Sequence, residues 1–200
     1  SYAAIRQAAL DLEPERRAQA IQDWLTTLSG LAPLPKTGIG GGLGPAMSAR
    51  EWHCFRIRPS NHPLRRISGA AGLLNRFLEL GLVAGLSSVA QGAKPRELTL
   101  ALTVPGGLGG DPACVGTARA RDLAVNVVLP FFHGLHQLRG EAAEGQACLE
   151  LYRRFGMLQD NELTREIAGQ LVGPAWAGLV STARRQQGLL HLQRVLSGAG

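Results

Sequence analysis

Lysine is nearly absent from this chain. Nineteen of the twenty-one basic residues are arginine, and only Lys36 and Lys94 are lysine. A GC-rich genome produces the same bias, so arginine abundance alone is no signature of nucleic-acid binding. Cysteine is scarce too: Cys54, Cys114 and Cys148 are odd in number and widely spaced, which excludes a disulfide framework and points to reduced thiols, mostly small buried hydrophobes. Every apolar run is interrupted by Arg, Asp, Asn, Gln or Pro before it reaches the roughly 18 to 20 residues a membrane helix needs, so no membrane partner is expected. The first residues, SYAAIRQAAL, lack a basic leader followed by an apolar segment and a cleavage site. The expected location is the cytoplasm.

What is present is a basic chain of 200 residues, 45% hydrophobic, with a formal net charge of +6, enough to bury one substantial core. The charge is unevenly spread. From Arg50 to Arg76 six arginines face one acid, Glu51, for a net +5; from Ser181 onward Arg184, Arg185 and Arg194 face none, for +3. The rest of the chain is therefore −2. Such polarity favours anionic partners through steering and counterion release. Solvated faces, or internal ion pairs with Asp122, Asp160 and Glu166, explain it equally well.

Hydrophobic periodicity predicts an all-α protein, an irregular multi-helix bundle with a kinked helix near Pro130 and Gly/Pro-rich loops. Residues 1–31 read as a helical hairpin packing on the main body, with Pro14 at a helix start and Ala18, Ile21, Leu25 and Leu28 as its stripe. Residues 32–47 combine prolines with a glycine cluster and form a linker or loop, and 48–200 form the helical domain. Ser48 caps the segment AREWHCFRIRP. Asn61 or His62 caps a helix with Pro63 near its first position and Ile67, Ala71, Leu74 and Leu78 buried. Leu82 to Gln91 is another short helix, whereas Arg96 to Val104 is ambiguous between a helix and the one plausible strand. Pro130 should kink or break the helix that starts near Thr117. Helices over 141–155, 161–171 and 174–196 follow, with Gly140, Gly156 and Gly173 as stops.

Neither glycine cluster has phosphate-loop spacing, since the Gly-x-Gly-x-x-Gly register fails at Leu43 or Pro45 and no Gly-Lys-Ser/Thr follows. His133 and His136 can share a helix face, yet without a second ligand pair no metal and no cofactor is assigned. No Gly-x-Ser-x-Gly turn or paired-carboxylate constellation occurs, so the chain is read as non-enzymatic. Asp122 with Asn126, and Asp160, Asn161, Glu162 and Arg165, read as a structural polar network. The candidate anion or nucleic-acid contacts lie in two stretches. In RIRPSNHPLRRI, Arg56, Arg58, Asn61, His62, Arg65 and Arg66 surround a turn on which donors can converge. In STARRQQGLLHLQRVL, helical spacing aligns Arg184, Gln187, His191 and Arg194, with Arg185 beside them, opposite Leu179, Ala183 and Leu190. Arg184 and Arg185 can equally tie the last helix to Asp160, Asn161 or Glu162.

Four motifs in order, RIRPSNHPLRRISGAAGLL, DLAVNVVLPF, LQDNELTRE and ARRQQGLLHL, resemble the C-terminal half of a bacterial protein family of unknown function, domain-of-unknown-function family twenty-eight fifty-one. The resemblance covers roughly Trp52 to Leu196. Longer members place before this region a segment with an Asp and Glu-x-His pattern similar to a restriction-endonuclease-type nuclease core, which this sequence does not contain. In some members the last motif carries cysteines ahead of an Ile-Gly pair, suggestive of a metal or redox site; this chain has ARRQQGLLHL there. The resemblance implies an accessory helical domain beside a nuclease-like domain or separate subunit, binding DNA or RNA through Arg58, Asn61, Arg65, Arg184, Arg185 and Gln187. It implies no activity for this segment. A structural or protein-interaction domain with arginines as internal ion-pair staples is the competing expectation.

Overall fold

Prolines decide where several helices begin, because the first-turn N–H groups of a helix have no intrahelical partner and a residue lacking one loses nothing there. The computed structural model describes residues 2–31, 47–52, 55–58, 61–91, 94–106, 113–159, 162–173 and 176–198. Its helices are α1 (Tyr2–Leu10), α2 (Pro14–Leu28), α3 (Pro63–Arg76), α4 (Leu82–Ala90), α5 (Pro95–Leu102), α6 (Thr117–Leu123), α7 (Leu129–Arg139), α8 (Ala142–Arg153), α9 (Glu162–Val172), α10 (Trp176–Leu179) and α11 (Ala183–Leu196). Pro14, Pro63 and Pro95 each open a helix. Among the described residues there is no β-strand, only two isolated bridges, Val104 with Val115 and Gly156 with Thr182. The fold is all-α.

The chain forms two compact units, Ser1–Leu86 with Thr103–Gly116, and Ser87–Leu102 with Thr117–Gly200. The stretch 48–200 thus contributes to both, and the hairpin 1–31 belongs to the first. The glycine-rich segment 32–46 lies outside the described residues.

In the first unit α2 packs on α1 and α3 around Ile5, Ala9, Ile21, Trp24, Ala71 and Leu78. Fully burying a side chain such as Ile21 contributes about 1.5–3 kcal/mol. Arginines tie the same elements together: Arg6 donates to the Leu78 and Glu79 carbonyls at 2.8 and 2.6 Å, and Arg17 to the Leu12 carbonyl at 3.0 Å and to the Glu79 carboxylate at 2.6 Å. On α3, Gly69 and Gly72 leave room for the Val104–Val115 bridge. A Cβ at Gly72 would stand 2.5 Å from Val104 Cγ1, and one at Gly69 2.8 Å from Val115 Cγ2.

Several expectations change here. Ser48 does cap, with a capping box closed by Glu51, but it caps only a 3₁₀ turn, Ala49–Glu51. Trp52 is already extended, and its indole N–H donates to the Ser29 carbonyl at 2.7 Å. His62 is the cap of α3, its Nδ1 accepting from the Leu64 N–H at 3.3 Å. The ambiguous stretch 96–104 is helical to Leu102, after which Val104 pairs with Val115.

In the second unit helical bonding runs from Thr117 to Arg139 through a π turn at Ala124–Val128, where the Leu129 N–H bonds back to the Ala124 carbonyl. Where a kink or a break is expected near Pro130, helical bonding instead runs on by way of this wider turn. The proline ring, which would collide with the carbonyl four residues back in an ordinary helix, sits just after the register change. Its buried side, including Ala120, Ala124, Val128 and Phe132, is covered by α5 and α8. Gly140, at φ 73°, ends α7 and lets the chain reverse into α8. The expected single helix over 174–196 is two, because Thr182 lies extended between α10 and α11 and pairs with Gly156. Gly156 is accordingly a bridge residue, not the stop of α8, which closes at Arg154.

Candidate anion-binding recess

The Gly156–Thr182 bridge positions the start of α11. Thr182 has extended backbone angles and its Oγ1 accepts from the Arg185 N–H at 3.3 Å, the N-cap arrangement expected of threonine. The Ala183 N–H donates to the Phe155 carbonyl at 3.2 Å, which seats the first turn of α11 against the end of α8. One turn on, Gln186 is buried, and its side chain clamps Leu158 by accepting from the N–H at 2.7 Å and donating to the carbonyl at 3.3 Å.

A recess of about 510 Å³ opens beside this helix start, lined by Arg153, Ser181, Thr182, Arg184 and Arg185. Three guanidinium groups and two hydroxyls therefore line it, and no carboxylate does among the described residues. Arg185 is held in place by donating to the Leu179 carbonyl at 2.9 Å and the Ser181 Oγ at 3.3 Å. Arg153, in the last turn of α8, pairs with Glu150 one turn earlier. Arg184 is exposed. Its charge acts on Tyr152, whose hydroxyl is pushed up by burial and pulled partly back by that guanidinium. The positive end of a fourteen-residue helix adds to the field at this spot.

Arg184, Arg185, Arg194, Gln187 and His191 all lie on α11, and Arg184, Arg185, His191 and Arg194 are exposed. The buried face opposite them is Ala183, Gln186 and Leu189, with Leu190 half-buried. Leu179 is not part of it, being 54% exposed on α10. Arg185 acts as a staple, as one sequence reading has it, but to a backbone carbonyl. Its bonds are not to Glu162, which is exposed, and Asp160 and Asn161 lie outside the described residues.

The other basic stretch belongs to the first unit and is arranged differently. Arg65 donates to the Ala113 carbonyl at 3.2 Å and Arg66 to Asn61 Oδ1, so both guanidiniums are engaged within the protein. Arg58 is exposed, and its carbonyl accepts from the Asn61 N–H at 2.8 Å. Arg56 has φ +56°, and its guanidinium lies 5.0 Å from the centroid of the exposed Phe55 ring. Asp122 is half-buried; burial pushes its carboxyl up, against the opposing pull of Arg119 and Arg121. Asn126 is exposed on the π turn, and Glu162 and Arg165 are exposed on α9.

His136 is buried, with Nδ1 2.6 Å from the Glu141 carboxylate, and His133 Nδ1 is 2.9 Å from the Gly145 carbonyl. Both rings therefore engage the start of α8. No group of three or more metal-ligating side chains occurs among the described residues. Arg153, Ser181, Thr182 and Gln186 were not anticipated from the sequence. The Ser181-Thr182 pair before Ala-Arg-Arg is a recognisable cap signal, whereas Arg153 enters only through tertiary packing. No family model, curated protein or solved structure matches the chain. Fold and recess together define an all-α protein with a cationic concavity at a helix start.

Proposed function

We propose that this chain is a non-catalytic, cytoplasmic helical module that binds the phosphate backbone of DNA or RNA, working beside a nuclease-like domain or subunit as its resemblance to the uncharacterised bacterial family implies. The observation that carries the reading is the recess of Arg153, Ser181, Thr182, Arg184 and Arg185. Guanidinium forks, hydroxyl donors and a helix start are the groups that hold phosphate. No helix among the described residues is long and apolar enough to cross a membrane. The test is fluorescence anisotropy with labelled oligonucleotides over a salt series. Affinity should fall steeply with salt, and Arg184→Ala should lower the salt slope by about one if that side chain meets one phosphate. Binding indifferent to salt, or an unaltered slope in the variant, refutes the reading.

A second reading is favoured by a separate observation. Arg6, Arg17, Arg65, Arg76, Arg121 and Arg185 all donate to backbone carbonyls, many at helix ends. In a structural or protein-docking domain such staples are the purpose of the arginines. Arg185→Ala then lowers the melting temperature, consistent with about 1.5–3 kcal/mol for a hydrogen bond to a charged group, and leaves oligonucleotide affinity unchanged.

A further inference from the structure

A second concavity shares the Gly156–Thr182 bridge with the recess. It measures about 410 Å³, within the range of small-molecule sites, and Pro95, Leu100 and Phe155 give it apolar walls while Arg96, Thr117 and Arg121 supply donors. Phe155 is its buried floor, and Leu100, 59% exposed, stands at its mouth. Gly156 lines this pocket, Thr182 lines the arginine recess, and the two residues pair directly. Arg121 is fixed in the wall by donating to the Gly156 and Met157 carbonyls at 3.0 and 2.8 Å. The Gly156–Thr182 pair thus lies between a cationic concavity lined by charged and hydroxyl-bearing residues and a second, more apolar one.

From this juxtaposition we infer that the two concavities form one composite site for a single-stranded nucleic acid, with a phosphate in the arginine recess and an unstacked base in the neighbouring pocket. The inference rests on the phosphate reading of the recess and adds the substrate class. A base offers an apolar face to Leu100 and Pro95, and carbonyl and ring-nitrogen acceptors on its edge to the guanidinium donors. A duplex keeps those faces stacked and offers only its backbone, so it has nothing to place in the pocket.

The experiment measures anisotropy at low salt with a short oligothymidylate, an abasic strand of equal length and a duplex, on wild type, Leu100→Ser and Arg184→Glu. Wild type should bind oligothymidylate about fivefold more tightly than the abasic strand, the low end of what one stacked base contributes. Leu100→Ser should erase that ratio while leaving abasic binding intact; Leu100 is exposed enough for the variant to fold, which circular dichroism checks. Arg184→Glu should weaken all three ligands. Equal, salt-dependent binding of the thymidylate and abasic strands, a duplex bound as tightly as the single strand, or a ratio that survives Leu100→Ser overturns the composite site and leaves the phosphate reading standing. Absence of binding to every ligand overturns both.

Discussion

Replacing Gln186 by leucine removes the clamp that holds α11 to the segment following the Gly156–Thr182 bridge. Gln186 is only 4% exposed, and its two bonds go to the backbone of Leu158, itself 7% exposed. Leucine matches the size of the side chain but offers neither donor nor acceptor, so the Leu158 N–H and carbonyl lose their partner in a place water does not readily reach. Each buried polar group left unpaired costs about 1–3 kcal/mol, and the 3.3 Å bond to the carbonyl is the weaker of the two. The expected loss is therefore about 2–4 kcal/mol, moderated by the apolar surface leucine buries. Urea denaturation followed by circular dichroism measures it, with Gln187→Leu as the control. Gln187 is half-buried and makes neither bond of that clamp, so its replacement should stay within about 0.5 kcal/mol of wild type. If Gln186→Leu also stays within that margin, the Leu158 backbone does not depend on the clamp and the reasoning fails.

Two further outcomes test the packing and the electrostatics. Gly72→Ala places a methyl 2.5 Å from Val104 Cγ1, and overpacking of about 1–3 kcal/mol should outweigh a helix-propensity gain of about 1 kcal/mol. Gly134→Ala, with open space around its Cβ, should show the gain alone; thermal melts that rank the two variants the other way contradict the packing described for α3. Asp122→Asn should raise the melting temperature at pH 7. Burial raises the folded-state carboxyl above its ordinary value of 3.8, so the folded protein holds this proton more tightly and loses stability as pH rises from there through the raised value. The asparagine variant carries no such penalty, and its advantage should close as pH falls below 3.8; a lower melting temperature at pH 7 contradicts that sign.

Most helix locations were legible because their signals are local. Pro14 and Pro63 mark starts, Gly140 marks a stop, and the spacing of Ile67, Ala71, Leu74 and Leu78 marks a buried face; each acts through residues within one or two turns. The stretch 96–104 was ambiguous for the same reason. Nine residues of mixed periodicity suit a short helix or a strand, and it is the pairing of Val104 with Val115, close to Gly69 and Gly72, that ends the helix at Leu102. The split between α10 and α11 was missed because it depends on Gly156, 26 positions before Thr182 in the chain.

The candidate site divides along the same line. By itself the sequence determined that the chain is helical, that its positive charge gathers in two stretches, and that Arg184 and Arg185 fall together on a helix, since composition and 3.6-residue periodicity are properties of the chain alone. Only the tertiary structure decided what each arginine does. It turned Arg65 onto the Ala113 carbonyl and Arg66 onto Asn61, anchored Arg185 to Leu179, and brought Arg153 from α8 to the side of Arg184. A guanidinium on a long flexible stem reaches carbonyls and carboxylates alike, so its partner is set by whatever acceptor packing brings within reach, and sequence spacing carries no record of that choice.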